Sequence, residues 1–261
     1  MIRVLLTLFV FFTFNISAQL YEPFNFSGLA SANGWTVHSG TTGPITALTT
    51  PSGSGNSLVY PGLPIPQGNR VAMSGSVAED INFPFTTSGN VGYFSFLINV
   101  TDLSNMTATG SYFIAFGGTT GSSLSIYFPR LYVALGSTAT TFKLGILNTS
   151  GGAVTPDYIA QDLNPNTTYF VVAKAAQNAG GGIDASIWLN PIPGAAEPVA
   201  GATNSQGSSS WPTNGIQSIA LRQATGIGTF EIDEIRAGET WTSVTPSSAT
   251  SCITYNTMSA T

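Results

Sequence analysis

GTFEIDEIRAGETW, residues 228–241, is the stretch on which the reading of this chain turns. Side chains alternate between the faces of a strand, so Phe230 and Ile232 point one way while Ile235 and Ala237 point the other. A buried strand cannot change its apolar face midway unless a residue is inserted. The run therefore predicts a β-bulge at Asp233–Glu234, which leaves one residue unpaired, bends the strand and re-aims its side chains. Only a short polar tail follows, so this strand is expected to close an all-β sandwich by pairing with the first strand of the mature chain.

Working outward, the same period recurs. In Val91–Val100, Phe94, Phe96, Ile98 and Val100 share one face, with Tyr93, Ser95, Leu97 and Asn99 on the other. Thr168–Gln177 and Ile183–Leu189 form a hairpin across Ala179–Gly182. Ile183, Ala185, Ile187 and Leu189 face together, and Asp184, Ser186, Trp188 and Asn190 face the opposite way. Ser111–Phe116, Leu124–Phe128, Leu131–Leu135 and Phe142–Leu147 are short apolar runs between turn signals, the spacing of an antiparallel meander. Tyr21–Phe26 suits an edge strand carrying Pro23. Ser57–Tyr60, Asn69–Met73 and Val77–Phe85 are further strands. Ser39–Ser57 and Pro191–Asn214 are long loops, the second functional or a flap. No ten-residue segment has a helical period. The fold class is all-β, a two-sheet antiparallel sandwich.

Composition narrows the role. A basic residue precedes the apolar run Val4–Phe14, and Ala18 ends a segment suited to signal-peptidase cleavage, so residues 1–18 are predicted to be a signal peptide and the product secreted or at the cell surface. Residues 19–246 make one domain. Residues 247–261 are a linker or the start of a following module. The chain has 261 residues, 7% of them charged, with a net charge of −5. Its basic residues are scattered along the sequence, which excludes nucleic acid as a partner. The sole cysteine, Cys252, lies in the tail, so no disulfide forms within the domain.

Three chemical readings attach to named residues. Jelly-roll glycoside hydrolases align carboxylates as E-x-D-x-E or E-x-D-x-x-E. Here Glu231-Ile232-Asp233-Glu234 has the spacing E-x-D-E at a strand end, so a polysaccharide-active hydrolase is kept only as the alternative. Asp233 with Glu22 on the first strand forms a candidate structural Ca²⁺ site, although no dense ligand loop is present. Glu79 and Asp80 read as a solvated turn. Glycan binding needs aromatic faces beside polar groups, and Trp188, Trp211, Asp184 and Asn190 are the candidates. The competing reading is that Trp188 packs on Pro191–Pro193 and that Trp211 plugs its own loop. His38 is the only histidine and has no G-x-S-x-G partner, so neither a triad nor a zinc set is expected. The glycine clusters lack a phosphate-loop lysine.

The ordered segments YEPFNF, GWTVHSG, SLVYPGL, AEDINFPF, YFSFLINVT, YFIAFG, LNPNTTYFVVAK, SIWLNP, GIQSIALRQ and EIDEIRAGETWTSVTP resemble the laminin-G-like, concanavalin A-like jelly-roll module of secreted Bacteroidota proteins. The resemblance spans about residues 20–246. It implies a concanavalin A-like jelly roll, usually non-catalytic, within a multidomain exported protein, often one with a type IX secretion sorting domain. The expectation is a non-catalytic binding or adhesion module, with a polysaccharide-active hydrolase or a purely structural spacer module as the alternatives. Its partners are extracellular polysaccharide or cell-surface glycan and other domains of the same polypeptide.

Overall fold

The computed structural model describes residues 20–48, 56–149 and 154–248. The signal-peptide segment and Cys252 lie outside them. In chain order the strands are β1 (Leu20–Glu22), β2 (Gly28–Leu29), β3 (Thr36–Ser39), β4 (Thr46–Leu48), β5 (Arg70–Ser74), β6 (Asp80–Pro84), β7 (Val91–Met106) and β8 (Ser111–Gly117). They continue as β9 (Tyr127–Leu135), β10 (Phe142–Leu147), β11 (Asp157–Tyr158), β12 (Thr168–Gln177), β13 (Ile183–Leu189), β14 (Ala202–Asn204), β15 (Ser218–Arg222) and β16 (Ile227–Gly238). One short helix, α1 (Trp241–Val244), follows. The first sheet runs β14-β13-β12-β7-β16-β5-β4-β2, with β1 also on β16, and the second runs β11-β10-β9-β8-β15-β6-β3. All named strand pairs are antiparallel, as expected for the sandwich.

The bulge is present. β16 pairs with β7 at Asp233↔Leu97 and resumes at Arg236↔Ser95, so three steps on β16 oppose two on β7. Glu234 takes up the extra residue at φ 54°, in the sparsely occupied left-handed region. The insertion restores parity, and Phe230, Ile232, Ile235 and Ala237 all join the same core. It also divides the strand edge: Thr229–Ile232 pair with β5, whereas Ile235–Ala237 pair with β1.

Between the sheets, edge-to-face phenylalanines interlock: Phe94 on Phe116 at 4.8 Å, Phe96 on Phe113 at 5.8 Å and Phe113 on Phe230 at 5.0 Å. Such pairs add about 0.5–1.5 kcal/mol beyond area burial. A second, smaller core lies on the outer side of the first sheet. There Tyr93, Leu97, Phe170, Val172 and Trp188 are covered by Leu58, Leu63, Trp241 and Val244.

This cover uses segments read differently from sequence. Ser57–Tyr60 is not a strand but a strap, its Leu58 amide donating to Asp233 Oδ2 at 2.7 Å. The long loop after Pro191 supplies β14 to the sheet edge, and its earlier part accepts hydrogen bonds from both tryptophans: Trp188 Nε1 donates to the Pro198 carbonyl and Trp241 Nε1 to that of Ala195, each at 2.9 Å. On the outer face of the second sheet, by contrast, tyrosine, arginine and lysine side chains stay partly exposed.

Candidate functional site

Register assembles the site. Tyr158 pairs with Gly145, Gly145 with Tyr132 and Tyr132 with Tyr112, so three tyrosines form one row across β11, β10, β9 and β8. Gly145 is needed there because a Cβ would stand 2.6 Å from the Tyr158 ring. Cations flank the row: Arg222 lies 4.3 Å and Arg130 5.0 Å from the Tyr112 ring centroid, and Lys143 lies 4.4 Å from that of Tyr158. Arg222 Nε faces Asp80 Oδ2 at 3.8 Å.

One end of this face is walled by the loop between β8 and β9. Asn82, fully buried on β6, donates through Nδ2 to the carbonyls of Thr36 (3.2 Å) and Gly121 (3.0 Å), and its Oδ1 accepts from the Gly121 amide (2.9 Å) and Thr120 Oγ1 (3.1 Å). Ser218 Oγ adds a hydrogen bond to the Thr119 carbonyl at 2.7 Å. The wall brings His38 and Tyr127 together, their ring centroids 6.0 Å apart. Their strands are four places apart in the sheet, which at about 4.8 Å per strand would separate them by about 19 Å if flat. The face therefore curls over at this end, and Tyr127 reaches back to within 5.7 Å of Tyr112.

Electrostatics sort the groups. Burial pulls the His38 imidazole down to about 4, so it is neutral at neutral pH. The Asn82 Nδ2 atom is 3.1 Å from His38 Nδ1. Both amide hydrogens of Asn82 go to carbonyls and an amide nitrogen accepts no hydrogen bond, so the Thr36 carbonyl, whose hydrogen bond opposes the fall, assigns the ring proton to Nδ1; Nε2 then carries a lone pair and is buried without a hydrogen-bond partner. Burial pushes the Tyr127 phenol up to about 12, with Tyr112 and Asp80 adding to the effect, so it stays protonated. Burial pushes Asp80 up to about 6 against the opposing pull of Arg222. Thus three of the chain's seven basic residues stand on one face of an acidic protein, opposite one buried carboxylate.

The residues singled out from sequence lie elsewhere. Trp188 is 4% exposed and packs edge-to-face on Trp241 at 5.0 Å. Trp211 is 8% exposed and packs on Phe128 at 5.2 Å. Asn190 Oδ1 accepts from the Phe170 amide, while exposed Asp184 accepts from Asn178 Nδ2. Trp188 and Asn190 border an apolar cavity of about 420 Å³, and Asp184 borders a separate one. Glu22 accepts from the Phe24 amide and from Trp35 Nε1. Asp233 accepts from the Leu58 and Glu234 amides, and burial pushes its carboxyl up to about 8. Glu231 pairs with Arg70 and Glu234 with Arg236, so the E-x-D-E acids are internally engaged. Glu79 and Asp80 are buried, not a solvated turn. Among the described residues no three His, Cys, Asp or Glu side chains gather as a metal set. The tyrosine–cation face was missed because its members are dispersed along the chain. Its one sequence signal is the alternation Arg130, Tyr132 against Leu131, Val133.

No protein-family model matches the chain, and a comparison with curated proteins gives no match. Among solved structures, an endo-β-1,4-glucuronan lyase from the fungus Trichoderma reesei superposes with a TM-score of 0.52 at 10% identity, covering 89% of this chain and 100% of that one. The alginate lyase Aly36B, in complex with an alginate trisaccharide, gives 0.48 at 13% identity over 86% and 99%. The exoplasmic/lumenal domain of VIP36 gives 0.45 at 9% over 90% and 98%. The sheet order bears out the two-sheet antiparallel sandwich, and the likeness to the glucuronan lyase agrees with a concanavalin A-like fold; none of the likenesses bears on Bacteroidota origin or type IX export. The expectation of a non-catalytic module is corrected here. It took a sandwich without an aligned acid pair for a binding domain, and a fold of this kind is found in a glucuronan lyase. No helix among the described residues is long and apolar enough to cross a membrane.

Proposed function

We propose that this protein is an extracellular enzyme that cleaves a uronate-containing polysaccharide by β-elimination on the outer face of the second sheet. The observation that carries this reading is the concentration of Arg130 and Arg222 among Tyr112, Tyr127 and Tyr132. Tyrosine rings suit the CH faces of sugars, and guanidinium groups suit carboxylates in a way that a neutral glycan does not require. The likeness to a glucuronan lyase fold agrees with this choice. Elimination is favoured over hydrolysis because hydrolysis calls for two carboxyl groups flanking the bond, whereas this face offers Asp80 alone beside a neutral imidazole and a protonated phenol.

In the proposed step, Arg130 pairs with the uronate carboxylate and so acidifies the proton on C5. His38 Nε2, buried in the unbound protein, takes that proton once docking of the polymer draws the loop between β8 and β9 aside. The C5–H electron pair becomes the C4=C5 double bond, the C4–O4 bond breaks, and the Tyr127 hydroxyl delivers its proton to the departing O4. Asn82 holds the wall in place. Incubating the protein with polyglucuronate, polymannuronate or polyguluronate and following the ultraviolet absorbance of the unsaturated product tests the reading. Reducing-end release without that absorbance would identify hydrolysis and refute it.

A further inference from the structure

Lys143 stands apart from the His38–Tyr127 end of the face. It pairs in register with Ala134, four residues along β9 from Arg130, which places the two cations about 14 Å apart. That separation exceeds the span of one sugar ring, so both cannot serve one uronate. Among the described residues Lys143 has no ion pair within 4.0 Å, the ion pairs there being those of Arg70, Lys174, Arg222 and Arg236. The acid nearest in electrostatic effect, Asp162, is engaged by Ser137 and by Thr141 Oγ1. The ammonium instead rests against the Tyr158 ring, which is itself fixed by its hydroxyl donating to the Thr109 carbonyl at 3.1 Å and by its close fit over Gly145. A half-buried, positioned cation beside a tyrosine row on an acidic protein is arranged for an anion from outside.

We infer that Lys143, positioned by Tyr158, is a remote carboxylate-binding subsite that selects long uronate chains over short ones. This inference rests on the proposed polyuronate reading and deepens it: the polymer crosses the strands along the Tyr112–Tyr132–Tyr158 row, and a second uronate docks at Lys143. Lys143 lies away from the reacting atoms, so it sets affinity and leaves the chemical step unchanged.

The test compares wild type with Lys143→Gln, using polyuronate and a uronate trisaccharide in both equilibrium binding and turnover. The expected result is a rise of about tenfold in Kd and KM for the polymer, with kcat for the polymer and all constants for the trisaccharide unchanged. Tyr158→Ala, which removes the ring that positions the ammonium, is expected to behave like Lys143→Gln. Equal polymer affinity in wild type and Lys143→Gln would overturn the subsite and leave elimination standing. Polymer binding that weakens in Lys143→Gln, with no unsaturated product from wild type, would refute elimination and uphold the subsite.

Discussion

Replacing His38 with glutamine probes the proposed chemistry most directly. Loss of a positioned general base lowers kcat by about 10²–10⁴. The proposed base also predicts where activity falls off with pH. The imidazole is drawn from 6.5 to about 4 by burial, a shift worth roughly 3 kcal/mol, or about 2 kcal/mol once discounted for a ring partly open to solvent. Proton acceptance by His38 thus predicts an acid limb of kcat/KM near pH 4 rather than near 6.5. Asp80, at about 6, is the other group facing this end that titrates in the range, and Asp80→Asn distinguishes the two by leaving the His38 limb in place. Stability supplies a second readout. Because His38's folded value lies below its ordinary one, its contribution is present above pH 6.5 and is lost as pH falls through 6.5 toward 4. Asp80 runs the other way: its contribution is present below 3.8 and is lost as pH rises through about 6. Taking the difference between wild type and His38→Gln in urea unfolding at about pH 7.5 and about pH 4.5 removes the Asp80 part and leaves about 2 kcal/mol. An unchanged kcat in His38→Gln, or a wild-type acid limb near 6.5 that Asp80→Asn does not move, would refute the assignment.

Other consequences can be measured separately. Arg130→Gln should lower kcat/KM on the polyuronate by at least about thirtyfold, with the wild-type value falling as salt is added and the variant's less so. Trp188→Ala should cost about 3–5 kcal/mol in urea unfolding by opening the outer core against Trp241, while polymer turnover by the folded fraction stays the same. Removing one member of the buried Glu234–Arg236 pair, 2.6 Å apart, should cost about 3–5 kcal/mol, and Glu234→Ala tests this by the same unfolding measurement. The Ca²⁺ reading of Glu22 and Asp233 is checked by melting with and without chelator. Their oxygens already accept amide and indole hydrogen bonds, so the midpoint should stay where it is.

Strand alternation made much of the fold legible. Val91–Val100, Thr168–Gln177 and Ile183–Leu189 each put their apolar set inward because one-sided burial leaves no other register. Even the parity break at Asp233–Glu234 announced its bulge. The outer core was harder to see, since Tyr93, Leu97 and Trp188 alternate in the way that solvent-facing positions do. They are buried only because Leu58, Leu63 and Trp241, distant in sequence, fold over them. The pull toward Trp188 as a sugar platform has the same origin: an outward tryptophan looks free until the loop bearing Pro198 is seen to cover it.

The candidate site was least legible of all. Arg130, Lys143 and Arg222 look scattered along the chain, and only the pairing of β8 with β15 and of β9 with β10 brings them to one surface. Sequence by itself determined the all-β sandwich, its closing strand and its bulge, because those depend on local periodicity. Which face stayed open, which cations met which tyrosines, and how His38 came to lie beside Tyr127 were decided by tertiary structure alone, since strand order, curl and loop cover are long-range properties that no local alternation encodes.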